Sequence, residues 1–142
     1  MERFLGRYSP YIYAIMRIVT GFLFIWHGTQ KWFNFPPQQP PPGSPAPAGI
    51  SPLMAVAGTI ELVFGLMIMF GLFAGIAAFI ASGEMAVAYF MGHFSIQNFL
   101  PLQNRGELAV LYSFIFLYIA SRGSGAWSID SLLGREPAGG IG

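Results

Sequence analysis

Arg17, His27, Gln30, Lys31, Glu61 and Glu84 lie inside stretches of sequence that are otherwise apolar, and Glu107 stands at the threshold of another. Guanidinium, imidazole, ammonium and carboxyl groups so placed can exchange protons, hold the polar end of a ligand or tie helices together. A charge at the centre of a bilayer costs at least about 2.5 kcal/mol, so such groups turn toward one another rather than toward lipid. Two histidines and several glutamates also invite a metal. Glu61, however, is followed by Leu62-Val63-Phe64 and Glu84 by Met85-Ala86-Val87. Neither is the Glu-x-x-His spacing of carboxylate-bridged centres, and no metal site is expected. The chain has no cysteine, which removes disulfides, thiol redox chemistry and thiolate-held clusters. Any electrons must travel on a bound cofactor or a partner.

The elements that position these groups are four apolar stretches, Tyr11 to Phe33, Leu53 to Phe70, Phe73 to Gly92 and Leu108 to Ala120. The composition is 54% hydrophobic and only 9% charged, against about 25% charged in a soluble domain. The bilayer is the solvent this composition suits. A spanning helix needs about 20 apolar residues, so four spans, a loop and two tails use the 142 residues. Backbone groups in lipid must be satisfied internally, and these runs are too long for barrel strands. The expected fold is all-α: a four-helix transmembrane bundle in one domain, 1–142, with short interfacial helices at the termini.

Residues 1–10 set Arg3 and Arg7 beside Phe4, Leu5 and Tyr8, a pattern suited to the headgroup region. The first apolar stretch has no small-residue cleavage site after it and is expected to stay attached. Residues 34–52 form a proline-rich loop. Eight of the eleven prolines lie from Pro36 to Pro52, a composition that favours extended polyproline II and serves as a spacer, a lid or a docking surface. Gly71 and Gly75 flank a tight connection, which makes the second and third helices an antiparallel hairpin. Ala74, Ala78, Ser82 and Ala86 recur every four residues with Ala77 and Ala81 beside them, a small-residue seam for close helix packing. Glu107 at the start of the fourth helix suits its dipole. Residues 122–142 form the last segment, in which Trp127 to Leu133 reads as a short helix capped by Ser128 and stopped by Gly134. The final residues are expected to be disordered. Arg3, Arg7, Arg122 and Arg135 lie on one side of the spans and Lys31 and Arg105 on the other. That distribution predicts cytoplasmic termini and external loops at 34–52 and from His93 to Arg105.

On the first helix Arg17, Phe24 and Lys31 repeat at seven, with Gly21, His27 and Gly28 between them on the same face. Counting 1.5 Å per residue from the cytoplasmic end puts Arg17 at about 9 Å and Glu61 and Glu84 at about 13–15 Å. Arg17 is therefore expected to reach both carboxylates, pairing with one and leaving the other to hold a proton. A second, outer layer would bring His27, Gln30 and Lys31 toward His93, Asn104, Arg105 and Glu107. The candidate ligand-binding or proton-exchanging set is thus Arg17, His27, Gln30, Lys31, Glu61, Glu84, His93 and Glu107. No catalytic residue stands out.

Arg17-Ile18-Val19, Gly21-Phe22-Leu23-Phe24 and His27-Gly28-Thr29-Gln30-Lys31 resemble the first helix of the DoxX family of small bacterial membrane proteins. Gly58-Thr59-Ile60-Glu61-Leu62-Val63-Phe64-Gly65, Ser82-Gly83-Glu84-Met85-Ala86-Val87-Ala88-Tyr89-Phe90 and Asn104-Arg105-Gly106-Glu107-Leu108-Ala109 are similar to its next three helix signatures, and Trp127-Ser128-Ile129-Asp130 to its closing segment. Arg105 stands where glycine is usual, and the proline-rich loop is longer than in the family pattern. The resemblance implies a four-helix protein of the bacterial cytoplasmic (inner) membrane, associated with thiosulfate:quinone oxidoreductase or terminal quinol oxidase systems.

On this basis the first reading is an accessory, non-catalytic subunit of a quinone-linked membrane redox system. The alternatives are a structural subunit of a larger membrane complex and a small transporter or proton pathway. Quinone is the one cofactor the resemblance brings in. The seven methionines and fourteen phenylalanines suit such a flat apolar ligand but are equally at home facing lipid or core. The expected partners are the bilayer and other membrane subunits or further copies of this chain. A net charge of +1, spread along the sequence, offers no nucleic-acid surface.

Overall fold

In a computed structural model the described residues are 1–38, 43 and 49–135. The expected polyproline II conformation of residues 39–42 and 44–48, and the expected disorder of 136–142, lie outside them. The described residues form α1 (Glu2–Gly6), α2 (Ser9–Phe33), α3 (Pro52–Phe70), α4 (Ala74–Gly92), α5 (Glu107–Arg122) and α6 (Ile129–Leu132). Among them the only β-type pairing is an isolated Ser95–Asn98 bridge. Three helices, α2, α3 and α4, are long and apolar enough to cross a membrane. The four spans expected from sequence are therefore matched for three. At 16 residues, α5 is about 24 Å long, because Glu107 and Arg122 bound its apolar run.

The distribution of side chains is inside-out relative to a soluble protein. Ala74, Ala77, Ala78 and Ala81 are fully buried, whereas Ile76, Phe79, Phe90 and Phe114 on the outer faces are about two-thirds exposed. Large apolar groups on the outside suit lipid, and small ones inside let helix backbones approach. Glycine does the same between α2 and α3. Gly21 and Gly28 on α2 face Gly65 and Gly58 on α3; a Cβ at Gly28 would sit 2.7 Å from the Gly58 carbonyl oxygen, and one at Gly21 2.6 Å from the Met69 nitrogen. Between α4 and α5 the Ser82 hydroxyl donates to the Ser113 carbonyl at 2.8 Å and the Ser113 hydroxyl to the Ser82 carbonyl at 3.2 Å. Phe24 closes the remaining side, its ring 4.6 Å from that of Phe116 and 5.6 Å from that of Tyr112.

One end of this packing is fastened by the segment after α5. Gly71 ends α3 in the left-handed conformation (φ 69°), and Leu72 and Phe73 lead straight into α4. Arg17, fully buried, donates to the carbonyls of Ile68 and Met69 at 2.6 and 2.8 Å and to those of Ala126 and Trp127 at 3.1 and 2.9 Å. The last carbonyls of a helix have no partner within it, and its C-terminal end attracts positive charge. Asp130 accepts from the Phe73 N–H and from the Ser124 hydroxyl, and its own N–H donates to the Gly71 carbonyl. Ser128 caps α6 by accepting from the Ser131 N–H.

The expected pairing of Arg17 with Glu61 or Glu84 is thereby corrected. The depth count assumed helices flush at their ends, but α2 has 25 residues and α3 only 19. The surplus of α2 overhangs, so Arg17 lies level with the end of α3 rather than near Glu61. Both its terminal nitrogens are used on backbone carbonyls, while its Nε is buried without a partner among the described residues.

Candidate functional site

The opposite halves of α2, α3, α4 and α5 enclose a cavity of about 760 Å³. The cavity lies mainly between α3 and α4, toward the end opposite their direct connection. Its walls are apolar: Leu53, Val56 and Ile60 on α3 and Ile80, Val87 and Met91 on α4. Polar groups are confined to two levels. Antiparallel packing places Glu61 on α3 beside Glu84 on α4, with His27 of α2 and Tyr112 of α5 at the same level. Lys31, His93 and Arg105 line the cavity nearer its outer end.

Lys31 stands one turn beyond His27, on the same face of α2. Its flexible stem turns inward, and its ammonium donates to both Glu61 oxygens at 2.6 and 2.7 Å. The pair is well enclosed, with the lysine side chain 22% and the glutamate 2% exposed. It neutralises one of the two carboxyl groups. Glu84 has no cation of its own, and its Oε2 is buried without a hydrogen-bond partner among the described residues. A buried polar atom left unpaired costs roughly 1–3 kcal/mol, so this oxygen is the most ligand-receptive atom of the inner level. The His27 ring packs edge-on against Tyr112, 6.0 Å between centroids.

At the outer level the loop after α4 is held by its own polar groups. The His93 ring nitrogen Nδ1 hydrogen-bonds the Asn104 carbonyl at 3.0 Å. Asn104 donates through Nδ2 to the Asn98 carbonyl at 3.1 Å and accepts from the Gly106 N–H at 2.9 Å. The Tyr89 hydroxyl donates to the Phe99 carbonyl at 2.8 Å.

Of the eight candidate residues, the cavity collects five: His27, Lys31, Glu61, Glu84 and His93. Arg17 belongs to the clamp at the other end. Gln30 turns outward, donating to the Pro36 carbonyl and accepting from the Gln38 amide, and Glu107 is exposed at the start of α5. Of the expected outer layer, His93 and Arg105 line the outer end of the cavity and Asn104 holds the His93 ring, whereas His27 and the Lys31 ammonium stand at the inner level and Gln30 and Glu107 are apart from the cavity. Tyr112 is the residue that sequence reasoning missed. Its signal was spacing, since Ala109, Tyr112, Phe116 and Ile119 form the buried stripe of α5. Among the described residues no three His, Cys, Asp or Glu side chains cluster as metal ligands.

The DoxX family model matches residues 12–94, which carry α2, α3, α4 and with them His27, Lys31, Glu61, Glu84 and His93. The chain belongs to the DoxX family. An uncharacterized protein of Haemophilus influenzae is 44% identical over 129 residues, an alignment covering 89% of this chain and 94% of that protein. No solved structure gives a significant match. Family membership and three helices fit to cross a bilayer make this DoxX protein a membrane protein. Four of the five cavity-lining candidates lie on helices, and His93 follows the last of them.

Proposed function

We propose that this DoxX protein is a four-helix transmembrane bundle of the bacterial cytoplasmic membrane, with both termini cytoplasmic, that serves as an accessory subunit of a quinone-linked redox system. The observation that carries the reading is the cavity between α3 and α4. It joins apolar walls, suited to an isoprenoid tail, to an inner polar level suited to a headgroup. Ligand sites of this size are mostly apolar with a few convergent polar groups that fix orientation. The Glu84 carboxyl, through its unpartnered Oε2, accepts a hydrogen bond from a hydroxyl of the reduced headgroup, and His27 and Tyr112 flank it. The Lys31–Glu61 pair keeps the inner level polar while adding no net charge, which suits a neutral headgroup. α5 completes the bundle as a short fourth span, carrying Tyr112 to the headgroup and sealing the side away from lipid.

In this role the chain holds the quinone and a partner subunit supplies the electrons. The test is purification from native membranes in mild detergent, with quinone quantified per chain and bound proteins identified by mass spectrometry. The expected result is about one quinone per chain together with subunits of a redox complex. Glu84→Gln should assemble with the same partners but retain less quinone, because the amide replaces a carboxyl at the contact atom. Quinone at the level of bulk extracted lipid, in wild type and variant alike, would overturn the reading.

A further inference from the structure

Arg105 lies at the outer end of the cavity, and its guanidinium makes no hydrogen bond, ion pair or cation–π contact among the described residues. The other cation in the cavity is neutralised, since Lys31 is spent on Glu61. Arg105 is also held in place rather than loose. Its backbone has φ 60°, a conformation glycine adopts without penalty and an arginine does not. The residues on either side fix it there. Asn104 is tied to Asn98, Gly106 and the His93 ring. Gly106 is so closely packed that a Cβ would meet the Tyr89 ring at 2.6 Å. Backbone strain of this kind persists where the surroundings over-determine it, and it points toward a role for the side chain.

His93 stands nine positions after Glu84, just past the end of α4, so the Arg105 end lies about 13 Å outward from the inner polar level, among the helix termini where headgroups are found. Leu53 and Met54 at the start of α3, Met91 at the end of α4 and Leu108 at the start of α5 are all about half to two-thirds exposed around it. An unpaired guanidinium on a fixed backbone, above an exposed apolar rim, is complementary to a phosphate carried on acyl chains. Arginine presents its donors in a fork that matches phosphate oxygens.

We propose that Arg105 is the headgroup anchor of an anionic phospholipid, whose phosphate sits on the guanidinium beside His93 and whose acyl chain lies across Leu53, Met54, Met91 and Leu108, closing the outer end of the cavity from the lipid side. This site is separate from the inner polar level and does not depend on the identity of the ligand held there.

The test is native mass spectrometry of the full chain released from nanodiscs containing equal amounts of phosphatidylglycerol and phosphatidylcholine. Both lipids carry the phosphate, but the trimethylammonium of phosphatidylcholine neutralises it and repels Arg105, so wild type is expected to retain phosphatidylglycerol in preference by about fivefold. Arg105→Gly, which relieves the backbone strain and so leaves the fold intact, should bring the preference close to unity. Arg105→Lys should keep part of it. Equal retention of both lipids by wild type, or an undiminished preference in Arg105→Gly, would overturn the proposal. So would an oleate arm in which the free fatty acid displaces phosphatidylglycerol at equal concentration, since that would assign the guanidinium to a carboxylate.

Discussion

Replacing Arg17 with methionine removes the side chain that joins the end of α3 to the segment after α5. Four carbonyls, those of Ile68, Met69, Ala126 and Trp127, lose their guanidinium donors. Arg17 itself is fully buried, so water does not readily take its place. An orphaned buried acceptor costs roughly 1–3 kcal/mol, and methionine spares the desolvation of the guanidinium. With about 1 kcal/mol for each of four carbonyls, the expected loss is about 4 kcal/mol. The assay is thermal unfolding in detergent, combined with limited proteolysis after Gly123. The variant should unfold at lower temperature and be cut in the terminal segment, while the Lys31–Glu61 end stays protected. Because Arg17 bonds to backbone and not to a carboxylate, adding Glu61→Gln should give additive losses, within about 0.5 kcal/mol. Rescue of Arg17→Met by Glu61→Gln, or unaltered stability and protection in Arg17→Met alone, would refute this account of the clamp.

Gly28→Ala should destabilise the α2–α3 pair by about 1–3 kcal/mol, since its Cβ would lie 2.7 Å from the Gly58 carbonyl and the Leu62 nitrogen, whereas Gly83→Ala, with open space at that position, should unfold like wild type. Lys31→Met leaves Glu61 buried without its cation and should lower the unfolding temperature; Lys31→Met combined with Glu61→Gln should recover much of the loss, a coupling that a double-mutant cycle measures directly. Reporter fusions after Gly49 should signal the external side and fusions after Arg135 the cytoplasm, as the distribution of basic residues predicts.

The elements were legible because their signals are long-range and redundant. Apolar runs of about twenty residues locate α2, α3 and α4 to within two residues at each end, and Gly71 marks their turn. The alanine seam of α4 showed itself by its spacing of four, and Ser128 by its place before a short apolar segment. The partners of Arg17 were not legible, since backbone carbonyls carry no sequence signature and the overhang of α2 is visible only once helices are packed. Lys31 was expected in the outer layer, yet its four-carbon stem carries its charge back to Glu61. Within the candidate site, the sequence supplied His27, Glu61, Glu84 and His93 from polarity alone. Tyr112 was hidden because one more aromatic in an apolar run is unremarkable until register sets it beside His27.

The claim that the cavity between α3 and α4 holds a quinone is tested most directly by a photoactivatable quinone analogue in native membranes, with adducts mapped by peptide mass spectrometry. Labelling is expected at residues facing the cavity, Met85 and Tyr112 above all, and it should disappear with excess unlabelled quinone and weaken in Glu84→Gln. Adducts confined to outward-facing residues such as Phe79 and Phe114, undiminished by competitor, would contradict the account.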